Sequence, residues 1–242
     1  HGLPLNPTPL TLSRYIAYTS QFISSGPKYL SGAQHFLKDL YPNFASNRSS
    51  VLVQATINGS RKLRADGIKV KRKPPLRLAH LRIFEKRFFE SPSFDSLLFI
   101  TILSCMFYGC HRSGELIIKG SKTTLNYKKI IKRCSLHFDS DHAGYRLPYH
   151  KADRFYRGTD ILLSRYSVCD PVFFLSTYAA LRDSLHGARS ELFLREDGSL
   201  PTRNWFDKHF FSVLDSSYGG HSVRAGSATF FASLGVSEGI IQ

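Results

Sequence analysis

The chain has 242 residues, enough for one large domain or about two smaller ones. Apolar residues make up 42% and charged ones 21%, the composition of a packed globular protein and not of a disordered one. Lys and Arg number 33 against 18 Asp and Glu, a net charge of +15, which favours a polyanion as partner.

Nucleic acid leads over an anionic membrane, because the most apolar run, Ser96 to Tyr108, is too short to span a bilayer and reads as a buried helix. No charged stretch followed by an apolar core marks a secretory signal at the N-terminus, so the expected location is intracellular. Cys105, Cys110, Cys134 and Cys169 lack the close paired spacing of a zinc site or a disulfide framework. They read as reduced thiols, and neither a metal nor a cofactor is expected.

In chain order, Pro4, Pro7 and Pro9 lead into a first helix with Thr11 or Ser13 as its cap and Leu12, Tyr15, Ile16, Phe22 and Ile23 at helical spacing. A second helix follows Pro27 with Tyr29, Leu30, Ala33, Phe36, Leu37 and Leu40 on one face, and a third runs from about Ser50 to Asn58. Residues 1–60 thus read as a small helical domain. Basic residues then crowd between Arg61 and Arg87, around Pro74 and Pro75, a linker signature whose core is placed at 61–79. Such a run is either a solvated surface or nuclear-import signal, or a strand lying along DNA phosphates. On the second reading Lys69, Lys71, Arg72 and Lys73 are the DNA-binding residues.

From about His80 to Gln242 a second domain is expected, built on a central helix over Ser93 to Tyr108. Short β-prone pieces, Ser135 to Phe138, Arg146 to Tyr149 and Asp160 to Leu163, predict a small antiparallel sheet. Helical patterns return over Val172 to Leu185, Arg203 to Leu214 and Ser222 to Leu234, the last ending at Gly235. The fold class is mainly α with a small antiparallel sheet.

Breaking a DNA strand by transesterification needs a nucleophile, a clamp on the two non-bridging phosphate oxygens, and an acid for the departing 5′ oxygen. Arginine suits the clamp because its always-charged fork matches a phosphate bidentately. Three islands supply these parts. The first is Gly109-Cys110-His111-Arg112-Ser113-Gly114-Glu115-Leu116, and the second is Lys151-Ala152-Asp153 followed by Gly158 and a strand from Asp160. The third is Gly220-His221-Ser222-Val223-Arg224-Ala225-Gly226-Ser227-Ala228. On a helix N-terminus, His221 and Arg224 lie one turn apart, where the helix dipole adds positive potential.

These islands, in this order, resemble the tyrosine recombinases (the phage-integrase family): a Gly-x-x-Arg-x-x-Glu-Leu box, a β-hairpin lysine and a His-x-x-Arg box. The Lys-x-Asp form is similar to recombinases of eukaryotic mobile elements of the DIRS and Crypton kinds. The resemblance covers nearly the whole chain: an N-terminal core-binding domain, a basic interdomain linker and a catalytic domain. It implies strand cleavage and rejoining through a 3′-phosphotyrosine, for integration of a mobile element, by a homo-oligomer on double-stranded DNA. Arg112, Lys151, His221 and Arg224 are implied as catalytic residues, Lys151 as general acid, with Glu115 supporting the clamp. It also implies a nuclear location.

The family's nucleophilic tyrosine follows the third box, and no tyrosine follows Arg224 within the 242 residues. Tyr218 lies on the wrong side of the box. The catalytic domain is therefore read as truncated before its nucleophile, and these residues alone are expected to bind DNA without capturing it covalently. The alternative is a non-catalytic DNA-binding protein derived from such an enzyme, although pure binding needs no general acid. An RNA-binding module rests on basicity and aromatic content alone, and nothing resembles an RNA-recognition motif.

Overall fold

A computed structural model describes residues 5–65, 73–120, 125–150, 153 and 155–237. The chain divides into two compact units, His1–Lys71 and Arg72–Gln242.

The first unit is helical: α1 (Pro9–Ser20), α2 (Gly26–Leu37), α3 (Phe44–Ser49) and α4 (Val51–Ala65). Neither Thr11 nor Ser13 caps α1. The cap is Thr8, whose Oγ1 accepts from the Thr11 N–H at 3.2 Å, with Pro9 in the first turn where its missing N–H costs nothing. Leu12, Ile16, Leu30, Phe44, Val53 and Ile57 form the core. Of the face expected on α2, Leu30 is buried and Ala33 and Leu37 pack beside it, while Tyr29 and Phe36 are exposed, as is Leu40 just beyond the helix. Helix α4 continues past Asn58 to Ala65. The basic residues read as the start of a linker are themselves good helix formers, and cations are favoured at a helix C-terminus.

The second unit contains α5 (Leu78–Glu90), α6 (Phe94–Tyr108), α7 (Ser113–Leu116), β1 (His137–Phe138), β2 (His142–Leu147) and β3 (Thr159–Ser164). It ends with α8 (Pro171–His186), α9 (Arg203–Phe211) and α10 (Gly220–Ser233). Helix α5 occupies the second half of the basic stretch. Leu81 and Phe84 enter the core and Phe88 packs against it, while Arg82, Lys86 and Arg87 face outward, so charge density masked an ordinary amphipathic period.

Helix α6 is buried from Leu97 through Tyr108, as an all-round apolar helix must be. Three of its hydroxyls reach carbonyls of the next layer. Thr101 donates to Phe174 O at 3.2 Å, Ser104 to Cys169 O at 2.5 Å and Tyr108 to Val168 O at 2.6 Å, which seats the entry and first turn of α8. Asp170 caps α8 by accepting from the Val172 N–H at 2.9 Å.

The sheet is antiparallel in the order β1-β2-β3, with His137 opposite Gly144 and Tyr145 opposite Ile161. The β1–β2 turn is closed by Asp139 Oδ1, which accepts from the N–H groups of Asp141 and His142 at 2.9 and 2.7 Å. Along β2, Ala143, Tyr145 and Leu147 alternate into the core. Tyr145 is thereby aimed at the segment that follows α6.

Candidate functional site

The chain leaves α6 through a turn in which Cys110 N–H donates to Phe107 O and His111 N–H to Met106 O, at 3.4 and 3.0 Å. This is a Schellman closure. Its left-handed residue is Cys110, with φ of 51°, and not the glycine before it. Gly109 serves a different need, since a Cβ there would stand 2.7 Å from the His111 ring. The His111 side chain is 2% exposed, its Nε2 2.6 Å from the Tyr145 hydroxyl and its Nδ1 3.4 Å from Glu115 Oε2.

Arg112 follows as the N-cap of α7. Its N–H donates to Glu115 Oε2 at 2.9 Å and its Nη1 lies 3.4 Å from Glu115 Oε1, with the side chain 44% exposed. Glu115 thus holds both the main chain and the guanidinium of Arg112. With Glu115 ionised, the His111 Nδ1–H is the donor to it. Burial alone would raise the Glu115 carboxyl, but hydrogen bonds from His111 and the Arg112 N–H, with the positive charge beside it, hold it below its ordinary 4.5.

A sign follows for stability. A carboxyl lowered on folding stabilises the fold above its unfolded value of about 4.5, and that contribution is lost as pH falls through the lower folded value. Glu115→Gln is therefore expected to lower thermal stability at pH 6–7. The gap to wild type should close on acidification below pH 4.5 in a series of melting curves. A gap that persists unchanged at low pH would mean that the carboxylate charge is not what Arg112 and His111 hold.

Helix α10 presents the third island. Ser222, Val223, Gly226 and Ser227 are buried, so His221, which is exposed, and Arg224, which is half-buried, lie on the outward side one turn apart. Ser222 Oγ accepts from the Gly219 N–H at 3.2 Å at the helix start. The small residues permit close approach. The Leu76 N–H donates to Ser222 O at 2.8 Å, and the Leu76 backbone crosses directly over Gly226. Gly235, with φ of 80°, ends the helix as expected.

The first and third islands meet at two points. Cys110 Sγ lies 2.8 Å from Ser227 Oγ, which itself bonds to Phe107 O. At the other end a Cβ on Gly220 would stand 3.0 Å from Ser113 Oγ. Cys110 is hydrogen-bonded to α10 and Ser113 lies close to its start, so the segment that carries Arg112 runs along the helix that carries His221 and Arg224. The nearness is also electrostatic: burial raises the Cys110 thiol, and the Ser227 hydrogen bond and the Arg224 charge oppose the rise.

Lys151 lies outside the described residues, as do Lys69, Lys71 and Arg72. Among the described residues that follow, the Asp153 carboxylate accepts from the Phe155 and Gly158 N–H groups at 3.1 and 2.8 Å, with Gly158 at φ of 72°. Asp153 thus shapes the hairpin turn. Lys73 is described, and its ammonium donates to the carbonyls of Tyr218 and Ser216 just ahead of α10. Tyr218 is tied to α5, its hydroxyl 3.3 Å from His80 Nε2.

Nothing in the sequence alone marks His111, Tyr145, Ser113 or Arg203 as site residues, although Thr202-Arg203 with Asp207 four residues on is a recognisable helix start. Among the described residues, no group of three or more His, Cys, Asp or Glu could hold a metal ion, and no helix is long and apolar enough to cross a membrane.

No protein-family profile matches the sequence, and no curated protein does. Among solved structures, the chain is similar to the XerH site-specific recombinase in a crystal structure with its difH substrate, a pre-cleavage complex. The TM-score is 0.51 at 13% identity, over 80% of this chain and 58% of that one. The likeness is one of fold: mostly helical with a small antiparallel sheet, matching a tyrosine recombinase-like fold. The chain spans 58% of the length of XerH.

Proposed function

We propose that the protein binds duplex DNA and cleaves and rejoins its strands through a 3′-phosphotyrosine. The observation that supports this reading is the pair of contacts, Cys110 with Ser227 and Ser113 close to Gly220, by which the segment carrying Arg112 meets α10. On this reading Arg112 before α7 and His221 and Arg224 on the first turns of α10 form a cationic cradle for one phosphate, with Glu115 orienting Arg112. In the reaction a tyrosine oxygen bonds to phosphorus while the bond to the 5′ oxygen breaks. The clamp holds the charge on the non-bridging oxygens, and Lys151 gives its proton to the departing oxygen. Reversal rejoins the strand. The nucleophile is a tyrosine outside residues 1–242, and the chain acts as one of several copies on DNA. The Lys151-Ala152-Asp153 form supports integration of a mobile element as the role, which would place the protein in the nucleus.

The clamp reading is tested by incubating the full-length protein with a nicked duplex whose cleaved end diffuses away. A covalent adduct on a denaturing gel is expected, and DNA that is bound but never captured would instead favour a non-catalytic DNA-binding protein. The electrostatic part has its own test. Each phosphate contact contributes about 0.9 to the slope of log affinity against log salt. Replacing Lys69, Lys71 and Arg72 together with Ala should lower that slope by roughly two to three. Lys73→Ala should add less, because its ammonium already serves the carbonyls before α10. An unchanged slope would remove the basic stretch from the interface.

A further inference from the structure

Arg203 opens α9 and has no part in the chemistry assigned above. Its Nε reaches both carboxylate oxygens of Asp207, one turn on, at 2.9 and 2.8 Å, and its Nη1 donates to Ser113 Oγ at 2.7 Å. On its remaining side lies α10: a Cβ on Gly220 would stand 3.3 Å from Nη2. The backbone fixes the start of α9 as well, since Arg203 N–H donates to Ile118 O at 2.8 Å and Ile118 N–H to Pro201 O at 3.0 Å. Helices α7, α9 and α10 therefore meet at one guanidinium, and that meeting point lies one residue from Arg112 and one from His221.

We propose that Arg203 is a positioning residue that sets Arg112, at the start of α7, against His221 and Arg224 on α10. This rests on the reading of those three as a phosphate clamp. The geometry calls for arginine, because a planar fork can serve Asp207 with Nε and Ser113 with Nη1, whereas an ammonium is a single point charge. Asp207 also neutralises Arg203, so its charge adds little to DNA attraction. Its removal should act on alignment, where a displacement of about 1 Å can cost a hundredfold in rate.

The test separates binding from reaction in the full-length protein. DNA affinity is read by fluorescence anisotropy, and the rate of adduct formation on the nicked duplex is read in a single turnover at saturating protein. Arg203→Lys and Arg203→Ala should slow the covalent step about tenfold or more while affinity stays within about twofold. Asp207→Asn, which leaves the guanidinium less restrained, and Gly220→Ala, which crowds it, should slow the step in the same direction. These two carry the test should Arg203→Ala fail to fold. An Arg203→Lys protein that reacts at the wild-type rate overturns the assignment, as does one whose affinity falls in proportion to its rate, which would make Arg203 a contact to the DNA backbone. Wild-type protein that forms no adduct removes the clamp reading and this assignment with it. Wild-type protein that reacts while all four variants keep pace removes this assignment alone.

Discussion

Replacing Arg112 or Arg224 with lysine in the full-length protein is expected to leave most DNA affinity in place and to slow strand cleavage by about a hundredfold or more. Loss of one preorganised donor to developing charge is worth roughly 3–4 kcal/mol. Lysine keeps the positive charge, so long-range attraction to the duplex is retained, but it cannot hold two oxygens in one plane. Arg112 is the more exposed test of this argument, because Glu115 fixes its guanidinium and its main-chain N–H in advance. Single-turnover cleavage and equilibrium binding on the same variants separate the outcomes. Equal losses of binding and rate would mean that the arginines only hold the DNA backbone.

Gly226→Ala should produce the largest loss of stability. Alanine is favoured over glycine in a helix interior by about 1 kcal/mol, so propensity alone favours the change. Packing opposes it. A Cβ at Gly226 would overlap the Leu76 carbonyl oxygen and stand 2.8 and 2.9 Å from the Leu76 carbonyl carbon and nitrogen. That backbone cannot swing aside freely, since the Leu76 side chain is fully buried and its N–H is bonded to Ser222 O. Overpacking costs about 1–3 kcal/mol and more against backbone, so the clash wins. A net loss of about 2 kcal/mol corresponds to a fall in melting temperature of roughly 4–8 °C for a unit of this size. Gly32→Ala in α2 is the contrast, because a Cβ there meets nothing within 4 Å, and it should stabilise by up to about 1 kcal/mol. Thermal or denaturant unfolding of both variants decides the point, and a neutral Gly226→Ala would show that α10 and the segment before α5 are not in the contact described.

These two glycines mark the limit of what sequence can convey. Each sits inside a helical pattern, and only the neighbour that passes over it tells them apart. Helix α6 was legible because it is apolar all round, and the sheet because short β-prone pieces are separated by turn residues, although β2 meets the piece expected at Arg146 to Tyr149 only at Arg146 and Leu147. Helix α5 was hidden by the density of Arg and Lys on its outer face, although Leu81 and Phe84 keep the helical period. At the candidate site, Arg112, Glu115, His221 and Arg224 were legible as candidates through the family resemblance of their islands. What joins the islands was not, because Cys110 with Ser227, and Ser113 with Arg203 and Gly220, are contacts between segments about ninety or more residues apart. Gly109 caps the end of α6, the left-handed position falls to Cys110, and the missing side chain at 109 makes room for His111.

If the Arg112, His221 and Arg224 cluster serves a strand break with covalent capture, the residue that carries the captured DNA can be mapped. Full-length protein is reacted with the nicked duplex, digested with nuclease and protease, and the nucleotide-bearing peptide is sequenced by mass spectrometry. A 3′-phosphate joined to a tyrosine outside residues 1–242 is expected, lost when that tyrosine is replaced with phenylalanine. A phosphate joined to any residue within 1–242, a linkage to a 5′ end, or saturated DNA with no adduct would contradict it.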